Sequence, residues 1–198
     1  MKQKLRILLL FMIFAISLSA CEKSQSGDIV ILYTNDIHCA VDSGIGYAGL
    51  ASLQNQYEAD GNAVLLVDCG DAIQGEPIGT LSEGEYIIDI MNEVGYDVAA
   101  IGNHEFDYGS DRFLELKEIA QFPYVACNFR DLRTGESIVE PYVILQAQNK
   151  KIAFLGISTP FTITSSSPAH FQDDTGSFVY SFDQDMTGET VYTAVQSA

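Results

Sequence analysis

Six side chains able to bind a cation or handle a proton fall in three short stretches of the chain. Asp36 and His38 lie in Thr34-Asn35-Asp36-Ile37-His38, Asp71 follows Gly70, and Asn103, His104 and Asp107 lie in Gly102-Asn103-His104-Glu105-Phe106-Asp107. Carboxylates, an imidazole and an amide oxygen form a borderline-hard O/N donor set. Such a set suits zinc, manganese, iron or similar divalent ions rather than calcium alone. Asp36 and His38 are one residue apart, so on an extended strand end both project to one side and can grip one cation. Gly70 lets the backbone beside Asp71 approach a ligand closely. The third stretch is the most restrictive. It sets an amide oxygen beside an imidazole, and Asp107, three residues beyond His104, can hold that ring's tautomer or stabilise its protonated form. Taken singly, Asp-x-His and Gly-Asp are ordinary turn and surface patterns; their order and context make them a site.

That context is strand and helix in alternation. Residues 28–34, 63–67 and 97–101 are short runs rich in Val, Ile, Leu and Ala, the pattern of strands buried on both faces. Each of the three motifs begins where one of these runs stops. Between them lie helical patterns at 47–57 and at 85–94, where Ile87, Ile90, Met91 and Val94 recur every three to four residues and Gly95 closes the helix. A third helix is predicted from Ser110, read as its N-cap, through Ile119. Strands are expected at 124–127, 142–146 and 151–158, the last two joined by a turn at Asn149-Lys150. Residues 162–185 are Ser/Thr/Asp-rich and read as loop, before Thr187 caps a helix over 188–198. The alternation implies an α/β fold with a largely parallel sheet, in which ligands gather beyond the carboxyl ends of the strands.

The extended wording of the motifs, Leu32-Tyr33-Thr34-Asn35-Asp36-Ile37-His38, Asp68-Cys69-Gly70-Asp71 and Gly102-Asn103-His104-Glu105-Phe106-Asp107-Tyr108-Gly109, resembles the calcineurin-like metallophosphoesterases, specifically their 5'-nucleotidase and UDP-sugar hydrolase branch. The resemblance implies a layered αββα sandwich with mixed, largely parallel sheets. It also implies a phosphohydrolase with two divalent metal ions and a nucleotide or nucleotide-sugar substrate. Asp36 and His38 would hold the first ion, Asp71 would bridge both, Asn103 would hold the second, and His104 oriented by Asp107 would be catalytic. Glu105 and Phe106 are read as structural. Members of the branch carry further histidine ligands and a substrate-binding domain later in the sequence. The expectation is therefore that residues 28–198 form the N-terminal part of such a domain, incomplete at the C-terminus. The alternative is an inactive lipoprotein that binds metal weakly or acts as a surface interaction module.

At its beginning the chain reads as an export signal. Lys2, Lys4 and Arg6 precede the apolar run 7–16, and Leu18-Ser19-Ala20-Cys21 resembles the lipobox of bacterial lipoproteins. Residues 1–20 are thus expected to be a signal peptide, Cys21 the lipidated residue anchoring the protein to a membrane outside the cytoplasm, and 21–27 a tether. Removing those three cations from the ten leaves seven basic against 27 acidic residues, a balance of −20. Such a surface excludes nucleic acid as a partner, and without an Arg-rich cradle it must accept a phosphate through bound metal. Cys39, Cys69 and Cys127 are odd in number and lack Cys-x-x-Cys spacing, so no disulfide framework is indicated. Cys39 and Cys69, beside the candidate ligands, read as small buried side chains rather than zinc thiolates. His170, in Ser-Pro-Ala-His-Phe without a partner at metal spacing, reads as a surface residue.

Overall fold

The computed structural model describes residues 27–182 and 189–198. The expected signal, Cys21, the tether up to residue 26 and the Thr187 cap lie outside the described residues. Among these residues no helix is long and apolar enough to cross a membrane.

Strands β1 (Ile29–Thr34), β2 (Ala63–Asp68), β3 (Val98–Ala100) and β4 (Tyr124–Val125) form a parallel sheet in the order β1-β2-β3-β4. Parallel pairing needs a crossover at every step, and the helical patterns supply it. Helix α1 (Gly46–Ala59) joins β1 to β2, α2 (Pro77–Ser82) and α3 (Glu85–Val94) join β2 to β3, and α4 (Ser110–Ile119) joins β3 to β4. The sheet is buried where its residues are most apolar: Leu66 and Ala99 have no exposed surface. Ile87, Ile88 and Met91 turn the inner face of α3 into the core. Gly95 ends that helix as expected, with φ at 86° and its N–H reaching the carbonyls of Asn92 and Met91.

Beyond β4 the strand pairs are antiparallel, with a parallel bridge at Val125–Glu140. The short β5 (Arg130–Asp131) precedes a hairpin of β6 (Tyr142–Ala147) and β7 (Lys150–Leu155). The Val125–Glu140 bridge and the Cys127 N–H donating to the Gly156 carbonyl tie this hairpin to the end of β4. After α5 (Thr162–Ser165) and a 3-10 turn at Pro168–Phe171 comes β8 (Tyr180–Ser181), which pairs with β5; α6 (Glu189–Ser197) is the last element.

Several sequence expectations need correction. The stretch read as loop contains α5, the 3-10 turn and β8, elements too short to show periodicity. Helix α2 went unpredicted for the same reason, although Pro77 at its first turn is a start signal. The strand expected at 124–127 pairs over only two residues, and that expected at 151–158 ends at Leu155. Ser110 does not cap α4. Gly109, with φ at 96°, holds the cap position, while the Ser110 hydroxyl donates to the carbonyl of His170. That bond draws the Pro168–Phe171 turn onto the start of α4.

The turn brings Phe171 into an aromatic cluster centred on Phe106, whose ring lies 5.0 Å from Phe113, 5.3 Å from Phe129, 4.9 Å from Phe171 and 5.5 Å from Phe182. All five are essentially without exposed surface. Phe106 is thus the core anchor of the third motif, as its structural reading implied. Replacing Phe106 with Ala should lower unfolding stability by about 3–5 kcal/mol, measured by urea denaturation. A loss under about 1 kcal/mol, the range of a surface substitution, would show that the cluster does not carry the fold.

Candidate metal centre

The three motifs meet because the strands that precede them end level. Thr34 pairs with Asp68, and Asp68 with Ala99, so the chain leaves β1, β2 and β3 at one edge of the sheet. The loops then bond to each other through their backbones. The N–H groups of Asp36, His38 and Cys39 donate to the carbonyls of Gly70, Asp71 and Ala72 at 3.2, 3.0 and 2.9 Å. To make these bonds the first motif abandons the extended form expected of it. Asp36, His38 and Cys39 are left-handed, with φ at 53°, 49° and 60°, and Asp71 likewise at 59°. Each such residue costs about 1–2 kcal/mol, which Asp and Asn tolerate best. Inter-loop hydrogen bonds at about 0.5–1.5 kcal/mol each offset the cost.

Two glycines let the second and third loops touch. A side chain on Gly70, whose φ is +100°, would meet the Gly102 nitrogen at 2.6 Å. One on Gly102 would run into the Asp71 carboxylate and come within 2.7 Å of Glu105 Oε2. Gly75 is as tightly placed, its missing Cβ pointing at the His38 backbone.

Within this frame one candidate ligand atom from each of His38, Asp71 and His104 lies within 4.8 Å of the others. His38 Nδ1 sits 3.1 Å from the Gln74 carbonyl. A carbonyl only accepts, so Nδ1 carries the proton and Nε2 is left to ligate. Asp36 joins the same neighbourhood, its Oδ1 3.9 Å from His38 Nε2, while its other oxygen accepts from the Asn35 side-chain amide. The His104 backbone N–H donates to Asp71 Oδ1 at 2.8 Å and fixes that carboxylate's rotation. His104 Nδ1 meets Asp107 Oδ2 at 2.6 Å, leaving Nε2 as the ring's available nitrogen. Burial alone would lower the His104 pKa, but the Asp107 hydrogen bond and the charges of Asp107, Asp71 and Glu105 outweigh it and raise the value. Asn103 opens the turn that carries His104, its carbonyl accepting the Phe106 N–H at 3.2 Å. His170 lies in the Pro168–Phe171 turn, outside the three-residue group.

Cys39 is buried with its thiol against the Ala72 carbonyl, and burial pushes it up to about 11, so it stays a neutral thiol. Cys69, expected to be buried, is exposed, and among the described residues no disulfide joins the cysteines.

The surroundings are strongly acidic. Asp68 is buried beside the site, and burial, opposed by the Thr34 hydroxyl and the Gly70 N–H, pushes it up to about 7. Glu105 is buried completely. Imidazole nitrogen and carboxylate oxygen in this field fit a divalent cation of the zinc or manganese type.

Sequence reasoning missed four supports of this site: the Gln74 carbonyl, Gly75, Gly102 as a spacer, and Glu105 as a backbone acceptor. The glycines and the acidic residue inside the third motif were visible signals, but their partners were not. Changing Gly102 to Ala should displace Asp71 and weaken Co2+ binding by about 10–100-fold, the usual effect of disturbing a ligand's support. Unchanged affinity by isothermal titration would show that the close approach is not needed.

A sequence model of the calcineurin-like phosphoesterases matches residues 29–176. The chain is 35% identical over 162 residues to the protein UshA of Salmonella pullorum, covering 78% of this chain and 30% of that protein. It is 35% identical over 157 residues to the 5'-nucleotidase of Vibrio cholerae, covering 75% of this chain and 28% of the relative. Among solved structures, the calcineurin-like phosphoesterase YfkN of Bacillus subtilis superposes with a TM-score of 0.63 at 27% identity, over 85% of this chain and 58% of that one. The chain thus spans about 30% of the length of the curated relatives it matches. On the motif loops, the sheet that aligns them and these likenesses together, the chain belongs to the calcineurin-like phosphoesterase family, among its 5'-nucleotidase-like members.

Proposed function

We propose that the protein is a metal-dependent phosphohydrolase of the 5'-nucleotidase type, releasing phosphate from nucleotides or nucleotide sugars. The observation that carries this reading is the convergence of His38, Asp71 and His104 within 4.8 Å, with His104 held by Asp107. In the proposed assignment Asp36 and His38 would hold one ion, Asp71 would be shared with a second, and Asn103 would contribute to the second. Divalent ions so held lower the pKa of a bound water and neutralise phosphoryl oxygens. The chain's own residues do the rest. Asp107 keeps Nδ1 of His104 protonated, so that Nε2 can carry a proton toward the charge that develops on a phosphoryl group. The acidic loops repel a bare phosphate and admit it only with cations present.

Residues 1–20 and Cys21 support export and lipid anchoring of the protein outside the cytoplasm, with 21–27 as tether and 28–198 within the phosphoesterase domain. Partition into detergent rather than into a high-salt wash of membranes checks the anchor; elution by salt would reject it.

Phosphate release from AMP, abolished by EDTA and restored by Mn2+, is the direct test; purified protein without metal-dependent release would sink the reading. The presence of His104 in the three-residue cluster favours one second assignment, in which it ligates rather than transfers a proton. Replacing it with Ala separates the two. A catalytic His104 leaves metal content intact and lowers turnover by about 10²–10⁴; a ligating one takes metal with it. Asp71→Ala should strip both ions, and retention of two ions by elemental analysis would refute the bridge.

A further inference from the structure

Glu105 sits inside the third motif and, like Asp68, is a buried carboxylate beside the ligand cluster. Its Oε2 accepts the N–H of Gly102 at 2.7 Å and of Asp71 at 2.9 Å, and its Oε1 accepts the N–H of Ala72 at 2.9 Å. Two of these donors belong to the loop after β2 and one to the loop after β3. The carboxylate therefore staples the second motif to the third. No hydrogen bond among these three calls for a donor on Glu105, so a carboxylate, which only accepts, matches them on both oxygens.

We propose that Glu105 is a positioning residue for the metal centre: by gathering the N–H groups of Asp71, Ala72 and Gly102 it holds Asp71 in its left-handed turn and aims the Asp71 carboxylate. The route from Glu105 to the centre is short. Glu105 holds the Asp71 backbone at its φ of 59° by accepting its N–H, and the adjacent His104 N–H then fixes Asp71 Oδ1 at 2.8 Å. The same bonds hold the Asp71 and Ala72 carbonyls that receive His38 and Cys39, so the first motif leans on Glu105 as well. Glutamine cannot replace it. Its amide offers one acceptor oxygen, and its NH2 must then face an N–H where the second oxygen stood.

The role of Asp71 as a ligand rests on the function proposed above, so the test has one arm that needs no metal. In metal-free protein, amide hydrogen exchange resolved by 15N NMR should be faster in Glu105→Gln at Gly102, Asp71 and Ala72 by about tenfold or more, the worth of a charge-assisted hydrogen bond, with the amides of β1 and β2 unchanged. In the second arm, Co2+ affinity should fall by about 10–100-fold, and the visible Co2+ absorption band should change position or intensity. Exchange at those three amides equal to wild type overturns the proposal, and so does an unaltered Co2+ band in a folded variant. If Glu105→Gln does not fold, wild-type exchange decides: protection of the three amides equal to that of Leu66 supports the staple, and rates typical of open loops overturn it. Wild-type protein that binds no Co2+ would count against the metal reading of Asp71, while the exchange arm still decides whether Glu105 sets the Asp71 turn.

Discussion

A carboxylate cut off from water is tolerated only where donors replace its hydration, and Glu105 meets that condition with three backbone N–H groups from two loops. The rest of the site inherits its geometry from this arrangement. Burial pushes the Glu105 pKa up, and the N–H groups of Asp71, Ala72 and Gly102 oppose that push. The carboxylate is thereby committed to the backbone, and the backbone of residues 70–72 becomes a fixed rail. The first motif then lies along that rail through the bonds from Asp36, His38 and Cys39. Left-handed conformations that none of these residues would choose alone become the native ones, because each offsets its cost with a bond to a neighbouring loop.

Next to Glu105 in sequence, Phe106 points into the aromatic cluster that closes the core. One short 3-10 turn therefore carries three duties in consecutive residues: His104 to the centre, Glu105 to the adjoining loop, Phe106 to the core. A tight turn can do this because its side chains radiate in different directions. The arrangement couples stability to function, since loosening the core at Phe106 also loosens the platform of His104. It also accounts for the density of glycine around the site. Gly70 and Gly102 permit backbones to approach at distances no side chain allows.

Electrostatics push toward cation binding. Asp36, Asp68, Asp71, Glu105 and Asp107 surround two imidazoles, and Arg112, a nearby cation in sequence, is committed to Glu85 and Glu115 at 2.8 Å each. Against the lowering effect of its partial burial, the Asp107 hydrogen bond and the charges of Asp107, Asp71 and Glu105 raise the His104 pKa, consistent with a ring able to hold a proton beside carboxylates. An overall charge of −17 extends the same bias over the surface.

Much of this was legible in residue types. The apolar runs before each motif marked β1, β2 and β3, and the periodicity of Ile87, Met91 and Val94 marked α3, because burial on a sheet or helix face imposes a repeat that a single chain must display. Elements below two turns, such as α2, α5 and β8, left no repeat to read. The extended form expected of Asp36 and His38 failed because the competing term, backbone bonding to residues 70–72, comes from a segment more than thirty residues away. Ser110 misled for the same kind of reason, its hydroxyl taken by His170 sixty residues on. By itself the sequence determined the donor chemistry, the acidity and the family, since these reside in side chains and their order. Only the tertiary structure decided which backbone N–H groups the structural Glu105 gathers and that ligand atoms of His38, Asp71 and His104 fall within 4.8 Å of one another. Those facts depend on distances between segments remote in sequence, and parallel strand register with backbone contact between loops is what sets them.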